Sequence, residues 1–248
     1  EWSTDTMILD QVAPTDWIYD VFFGTEPNLM SFLNEENDNT ARILQPIKSQ
    51  IIHNNQEIKV NRNLHIKTIK EAIYAHKHVI LHGEGGCGKT AIIKDIYNEI
   101  GIDIAFCIRK AQSLNVLSLN EIFRLTNNYT ATHFVNLFRD TEYKVFVIDS
   151  AERLQEIEDK TALYNLVNLL IENNWSIAFT VRNNYLSDLF YELESIRSFE
   201  FQCVQIDNIS ENELCEYAIN HQIVLPENTF FKERLRNLFY LNLYIRYS

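Results

Sequence analysis

The stretch "HVILHGEGGCGKTAIIKDIY", residues 78–97, constrains the fold more than any other part of the chain. An apolar run from Val79 to Leu81 reads as a strand, and an amphipathic helical pattern runs from Thr90 to Ile100. Between them stands Gly83-x-x-x-x-Gly88-Lys89-Thr90. At that spacing the backbone N–H groups from Gly85 to Lys89 can converge on one anion, which only small, permissive residues allow. The helix starting near Lys89 adds unpaired N–H groups and its positive dipole end. Lys89 supplies a point charge to the β- and γ-phosphates of a nucleotide, and the Thr90 hydroxyl is placed to ligate Mg²⁺. Strand, loop and helix together predict a nucleotide site formed by Gly83, Glu84, Gly85, Gly86, Cys87, Gly88, Lys89, Thr90 and Ala91. Cys87, near a helix N-terminus, reads either as a redox-sensitive thiol or as a small residue at a variable position.

Five short apolar segments alternate with helical ones along the chain. They are Val79 to Leu81, Ile104 to Ile108, Val145 to Ile148, Ser176 to Val181 and Phe201 to Ile206. Helical patterns lie at Thr90–Ile100, Leu119–Leu125, Ala131–Arg139, Thr161–Glu172 and Asn184–Ile196. Such alternation predicts an α/β fold: a five-stranded, mostly parallel sheet with helices on both faces. "SLNE" at Ser118 and "SENE" at Ser210 read as capping boxes. After Ile206 only helices are expected, Glu211–His221 and Phe230–Tyr247. Before the first strand, "DWIYDVFFG" is apolar enough to pack, and the acidic "NEENDNTA" reads as a linker. From Ile43 the pattern becomes helical, and Arg62 opens a stripe of Leu64, Ile66, Ile69 and Ile73. The expected organisation is an N-terminal segment over 1–40, a nucleotide-binding domain over 41–207 and a helical part over 208–248. A start at Glu1 and an end at Ser248, just after an apolar helical pattern, are expected of a piece of a longer protein.

The glycine loop is the Walker A pattern, and a Walker B arrangement follows in "YKVFVIDSAERL", an apolar strand ending in Asp149. Asp149 can hold the Mg²⁺ shell from the side opposite Thr90. Hydrolysis also needs a carboxylate to orient water. Many ATPases place it directly after the Walker B Asp, where this chain has Ser150, so Glu152 is the next candidate. Glu152 reads equally as a solvated residue favoured by the helix-start dipole. "WSIAFTVRNNYL" is a strand ending in Arg182, which either senses the γ-phosphate or caps a nearby carboxylate.

The composition excludes other classes. With 34 acidic against 22 basic residues the net charge is −12, which disfavours broad nucleic-acid binding. Cys87, Cys107, Cys203 and Cys215 show no ligand-like spacing and read as reduced thiols of a cytoplasmic protein. The sequons at Asn128 and Asn208 are then chance matches, and no apolar run reaches membrane-spanning length. His76, His78 and His82 straddle a helix end and a strand, so they do not share a metal-binding face.

In order, "VNRNLHIKTIKEAI", "LHGEGGCGKTAII", "VFVIDSAERL", "IAFTVRNNYL" and "FKERLRNLFYLNLYI" resemble the STAND branch of P-loop ATPases, relatives of NACHT and AAA+ modules. The likeness covers about residues 55 to 248, and it is strongest to the ATPase module of prokaryotic antiviral defence proteins. The resemblance implies a sheet ordered 5-1-4-3-2, a helical lid, and ATP-driven homo-oligomerisation with ADP locking a monomer. It also implies fused or associated effector and sensor domains. By position, Arg182 matches the sensor arginine, Glu152 the acidic residue after Walker B, and Arg62 the segment that contacts the base. Where relatives often carry a Pro in the lid motif, Leu238 follows Asn237. No Asn-Lys-x-Asp motif for guanine occurs, which favours ATP/ADP with Mg²⁺. The function expected is an ATP-binding, slowly hydrolysing switch, since the hydrolytic half of the site is less complete than the binding half. The alternatives are an AAA+-type motor using an arginine from a neighbour (Arg124, Arg139 or Arg197), a scaffold holding structural nucleotide, or a small-molecule kinase.

Overall fold

The computed structural model describes residues 29–54, 56–100, 104–124, 127–196 and 200–247. Helix α1 (Leu29–Leu44) is followed by an antiparallel hairpin, β1 (Gln50–His53) and β2 (Gln56–Lys59), and by α2 (Asn63–Tyr74). The alternating region contains β3 (His78–Gly83), α3 (Lys89–Glu99), β4 (Ile104–Lys110) and α4 (Ala131–Leu137). It continues through β5 (Tyr143–Asp149), α5 (Thr161–Glu172), β6 (Ser176–Arg182), α6 (Leu186–Ile196) and β7 (Phe201–Ile206). Three further helices follow: α7 (Glu211–Asn220), α8 (Thr229–Arg234) and α9 (Leu238–Tyr247).

Strands β3 to β7 form one parallel sheet in the order β4-β5-β6-β3-β7. Counted in chain order and read from the β7 edge, that is 5-1-4-3-2, as expected. Alternation along β5 shows why the strands are continuous apolar runs. Val145 and Val147 face a core shared with α2 and α3, while Phe146 and Ile148 face one shared with α4, α5 and α6. Both faces are covered, so Val145 to Ile148 are apolar without a break. Burying each such side chain contributes about 1.5–3 kcal/mol.

Several local expectations are corrected. The acidic "NEENDNTA" is no linker but the middle of α1, with Glu36 and Thr40 buried. Residues after Ile43 do not remain helical: the chain turns into β1 and β2, where Asn54 adopts a left-handed φ of 48°. In α2 the buried stripe is Ile66, Ile69, Ala72 and Ile73, whereas Leu64 is 74% exposed. The Ser118 box does not form. Leu119–Phe123 is a 3-10 turn, and the Ser118 hydroxyl donates to the Glu121 carboxylate instead of accepting a backbone N–H. The Ser210 box does form, and Thr130 with His133 makes another. "DWIYDVFFG" and Arg197 lie outside the described residues.

The single helix expected over Phe230–Tyr247 is broken between α8 and α9. The Arg236 carbonyl is drawn off to the Ile209 N–H at 3.0 Å, and Asn237 Oδ1 accepts from Phe239 N–H at 3.1 Å, a side-chain bond that competes with the helical ladder. A third core joins Ile51, Ile58 and Val60 of the hairpin region to Leu214, Leu235 and Leu241 of the C-terminal helices. The hairpin thus packs with the C-terminal helices rather than with the sheet. None of the described helices is long and apolar enough to cross a membrane.

Candidate nucleotide site

The loop from Gly83 to Gly88 leaves β3 at the C-terminal edge of the sheet and enters α3 at Lys89. A Cβ on Gly83 would sit 2.3 Å from the Ile206 carbonyl oxygen, so only glycine lets β3 and β7 run this close. Gly86 has a φ of +87°, and a Cβ there would meet Asn237 Oδ1 at 2.6 Å and the Phe239 Cβ at 2.7 Å. Lys89 Nζ lies against the loop, donating to the Gly83 and Glu84 carbonyls at 3.0 and 2.8 Å.

The strand ends complete the site. Thr90 Oγ1 donates to Asp149 Oδ1 at 2.9 Å, bringing the two expected Mg²⁺ ligands together. Thr180 Oγ1 donates to the same oxygen at 2.7 Å and accepts from the Ser150 N–H at 2.9 Å. Ser150, with a φ of 61°, turns the chain off β5 into a 3-10 turn, and this carries Glu152 back to the loop. Arg182 Nε pairs with Glu152 Oε1 at 3.0 Å, while Glu152 Oε2 is buried without a partner. A Cβ on Gly85 would be 3.5 Å from the Arg182 guanidinium carbon. Arg182 therefore caps a carboxylate, one of its two sequence readings, and its guanidinium also lies beside the loop.

A cavity of about 420 Å³ joins these groups. Gly85, Gly86, Gly88, Lys89, Thr90, Ala91, Ser150, Glu152, Thr180 and Arg182 line its polar end, and Ile47, Ile51, Ile58, Val60 and Leu238 an apolar end. Gly83, Glu84, Cys87, Arg62 and Asp149 are not among its walls; Asp149 lies buried behind Thr90 and Thr180, which bond to it. Burial of Cys87 raises its thiol pKa, which removes thiolate character and so favours the plain packing reading over the redox one. Arg62, expected to touch the base, instead donates to the Cys87 carbonyl at 3.1 Å and the Asp207 carbonyl at 3.2 Å. It braces the loop against the end of β7.

Four residues of the site were given no role by sequence reading: Thr180, Asn208, Asn237 and Phe239. Thr180 sits within an apolar strand and entered only as part of the quoted strand that ends in Arg182. Asn237 Nδ2 donates to the Gly85 carbonyl at 3.0 Å and to Asn208 Oδ1 at 3.1 Å, and Asn208 Nδ2 donates to Glu84 at 2.8 Å. The Phe239 N–H adds a bond to the Gly86 carbonyl at 3.2 Å. The start of α9 is therefore tied directly to the loop, and Leu238 and Phe239 line the cavity despite the missing Pro. Among the described residues no cluster of three metal-ligating side chains occurs. A nucleotide's own oxygens and water would have to complete an Mg²⁺ shell begun by the oxygen donors Thr90 and Asp149, which is how that ion is usually held. The residues fit Mg-nucleotide: hard oxygens, a cation, an acidic group and an apolar recess lie in one cavity.

No family model matches the chain. It is 31% identical over 112 residues to the "Holliday junction branch migration complex subunit RuvB" of Rickettsia africae (strain ESF-5), a stretch covering 40% of this chain and 32% of that protein. The chain thus matches about a third of that relative's length. Among solved structures it resembles "the walker-type atpase paby2304" of Pyrococcus abyssi, with a TM-score of 0.54 and 12% identity over 82% of this chain and 69% of that one. It also resembles AMPPCP-bound DnaA from Aquifex aeolicus, with a TM-score of 0.49 and 14% identity over 75% and 61% of the two chains. The chain has the α/β fold of P-loop nucleoside triphosphatases, with the glycine loop at the carboxyl edge of its sheet.

Proposed function

We propose that this chain is a Mg²⁺-dependent ATPase that binds ATP, hydrolyses it slowly, and passes its nucleotide state to the C-terminal helices. The carrying observation is the direct bonding of Asn237 and Phe239 to the Gly85 and Gly86 carbonyls, which makes the phosphate loop and the lid one hydrogen-bonded unit. Bound Mg-ATP supplies the transferable γ-phosphoryl group. Lys89 and the loop N–H groups hold its phosphates, Thr90 and Asp149 hold the ion, and the hairpin and Leu238 enclose the base. Thr180 keeps Asp149 oriented. Glu152 positions the attacking water, and Arg182, paired to Glu152, registers the γ-phosphate. A single acidic group already engaged by an arginine suits slow turnover better than fast.

The lid coupling is tested by hydrogen exchange over residues 237–247 with ADP and with a non-hydrolysable ATP analogue. Different protection in the two states is expected, and identical protection would sink the switch. Glu152→Gln should reduce hydrolysis about a hundredfold with nucleotide affinity retained; undiminished turnover removes Glu152 as the water-positioning group. Arg182→Ala should narrow the difference in affinity between ATP and ADP, and an unchanged difference would leave Arg182 a structural cap only. Gly86→Ala should weaken the lid contact, because its Cβ displaces Asn237 and Phe239; proteolysis of α9 no faster than in the parent would contradict this.

The stretch shared with RuvB favours a second reading, an AAA+-type motor with continuous turnover in which Arg124 or Arg139 of one copy reaches the next. Denaturing freshly purified protein separates the two. Stoichiometric ADP marks a resting switch, while an empty site that turns over Mg-ATP rapidly marks a motor. The resemblance to the STAND branch extends the switch to an ATP-state homo-oligomer with effector and sensor domains in prokaryotic antiviral defence.

A further inference from the structure

Helix α9 begins on the phosphate loop and runs along the nucleotide cavity. Three contacts pin its start. Asn237 Nδ2 donates to the Gly85 carbonyl at 3.0 Å, and the Phe239 N–H donates to the Gly86 carbonyl at 3.2 Å. Leu238 Cδ1 lies 3.3 Å from where a Cβ on Gly88 would stand. We infer that Asn242, one turn further along α9, reads the edge of the base and selects adenine. This rests on the nucleotide site proposed above and names the group that chooses the base there.

Leu238 and Asn242 stand at i and i+4, so they share one face of the helix, and both line the cavity. Leu241 and Ile245 take another face into the core shared with Ile51 and Ile58 of the hairpin. Asn242 lies about 6 Å beyond Leu238 along the helix axis, away from the phosphates and towards the apolar end. Its side chain is half-buried and makes no hydrogen bond among the described residues. The other polar side chains at that end are placed differently. The Ser49 hydroxyl is bonded to Asp95, and Lys48 is exposed. Gln50 stands on β1, which has no hydrogen bond to the loop among the described residues. Of these groups, Asn242 is the one whose distance from the phosphates the structure fixes. A primary amide offers a donor and an acceptor side by side. Adenine presents the complement on one edge, its N6 amino group next to the N7 acceptor, and an Asn amide can make both bonds at once. Guanine presents two acceptors on that edge, O6 and N7, so one of them would face the Asn242 oxygen. Among the lining residues no carboxylate stands at the apolar end to take guanine's N1–H and N2–H2 instead. A base that leaves the amide unmade inside the cavity loses affinity for that reason.

Titration calorimetry of the whole chain with Mg²⁺ and ADP, 7-deaza-ADP or GDP tests this, with pyrophosphate as the probe that has phosphates and no base. ADP should bind about tenfold more tightly than 7-deaza-ADP, in which a C–H replaces N7 and one bond is lost. GDP should also bind more weakly than ADP. Asn242→Leu and Asn242→Asp should each abolish the difference between ADP and 7-deaza-ADP, the first by removing both bonds and the second by removing the donor. Pyrophosphate affinity should be little changed in Asn242→Leu, which shows that the variant is folded and its phosphate loop intact. Equal affinity of the parent for ADP and 7-deaza-ADP, or a difference that survives in both variants, would overturn the base reading while pyrophosphate binding left the phosphate site standing. A parent that binds neither pyrophosphate nor ADP would take down the nucleotide site itself, and the role of Asn242 with it.

Discussion

Lys89→Ala is expected to lower the affinity for Mg-ATP about a hundredfold or more. The side chain contributes a charge to two phosphates inside a partly enclosed cavity, where a charge-assisted bond is worth more than in open water. It is not needed to hold the loop in shape. Its oxygen partners are the carbonyls of Gly83 and Glu84, while the loop's own geometry is braced by Arg62 on the β7 side and Asn237 on the lid side. The loss should therefore appear as affinity, with thermal unfolding of the ligand-free protein little changed. Lys89→Arg should not restore binding, because a planar fork cannot replace a compact ammonium in a loop this tight. Titration calorimetry with Mg-ATP reads both variants. Affinity that survives Lys89→Ala would remove the phosphate-cradle assignment, and with it the roles given to Thr90 and Asp149.

The five sheet strands were legible because each requirement is local, whereas their order came only from the family resemblance. A strand buried on both faces is apolar at most positions, and the glycine loop must follow the first strand and open a helix. Thr90 and Asp149 were legible for the same reason, since a motif fixes each against its own strand or helix. What escaped depends on partners far away in sequence. Glu36 looked like part of a solvated linker because its partner Arg109 lies 73 residues on. The hairpin looked helical because Ile51 and Ile58 are buried only by the C-terminal helices; the Asn54–Asn55 pair was the one local sign of a turn. The break before α9 depends on Ile209 drawing off a carbonyl and on Asn237 bonding within its own turn. Those same contacts carry the lid to the phosphate loop, so the part of the site hardest to read in sequence is the part that couples it to the rest of the chain. Thr180 escaped for a different reason: a lone hydroxyl in an apolar strand is visible only through the carboxylate it orients.

The largest effect on stability is expected at the ion pair that anchors α1. Glu36 and Arg109 side chains are 1% and 4% exposed, and the guanidinium grips both carboxylate oxygens. Forming such a pair contributes little net stability, because removing two charges from water offsets most of their attraction. Breaking it is another matter. Arg109→Met leaves the Glu36 carboxylate buried without its counter-charge, and this should cost about 3–5 kcal/mol. Glu36→Leu should cost a similar amount, by stranding the guanidinium beside Phe146, whose ring face lies 5.8 Å from it. The double variant Glu36→Leu, Arg109→Met replaces the pair with apolar groups of comparable bulk and should recover most of the loss. Chemical denaturation of the parent, both single variants and the double variant measures the cycle. If the single losses simply add in the double variant, Glu36 and Arg109 act independently, and the pair does not anchor α1 to the sheet edge. If the double variant recovers, the acidic stretch that reads as a linker is fixed to the fold through one buried charge.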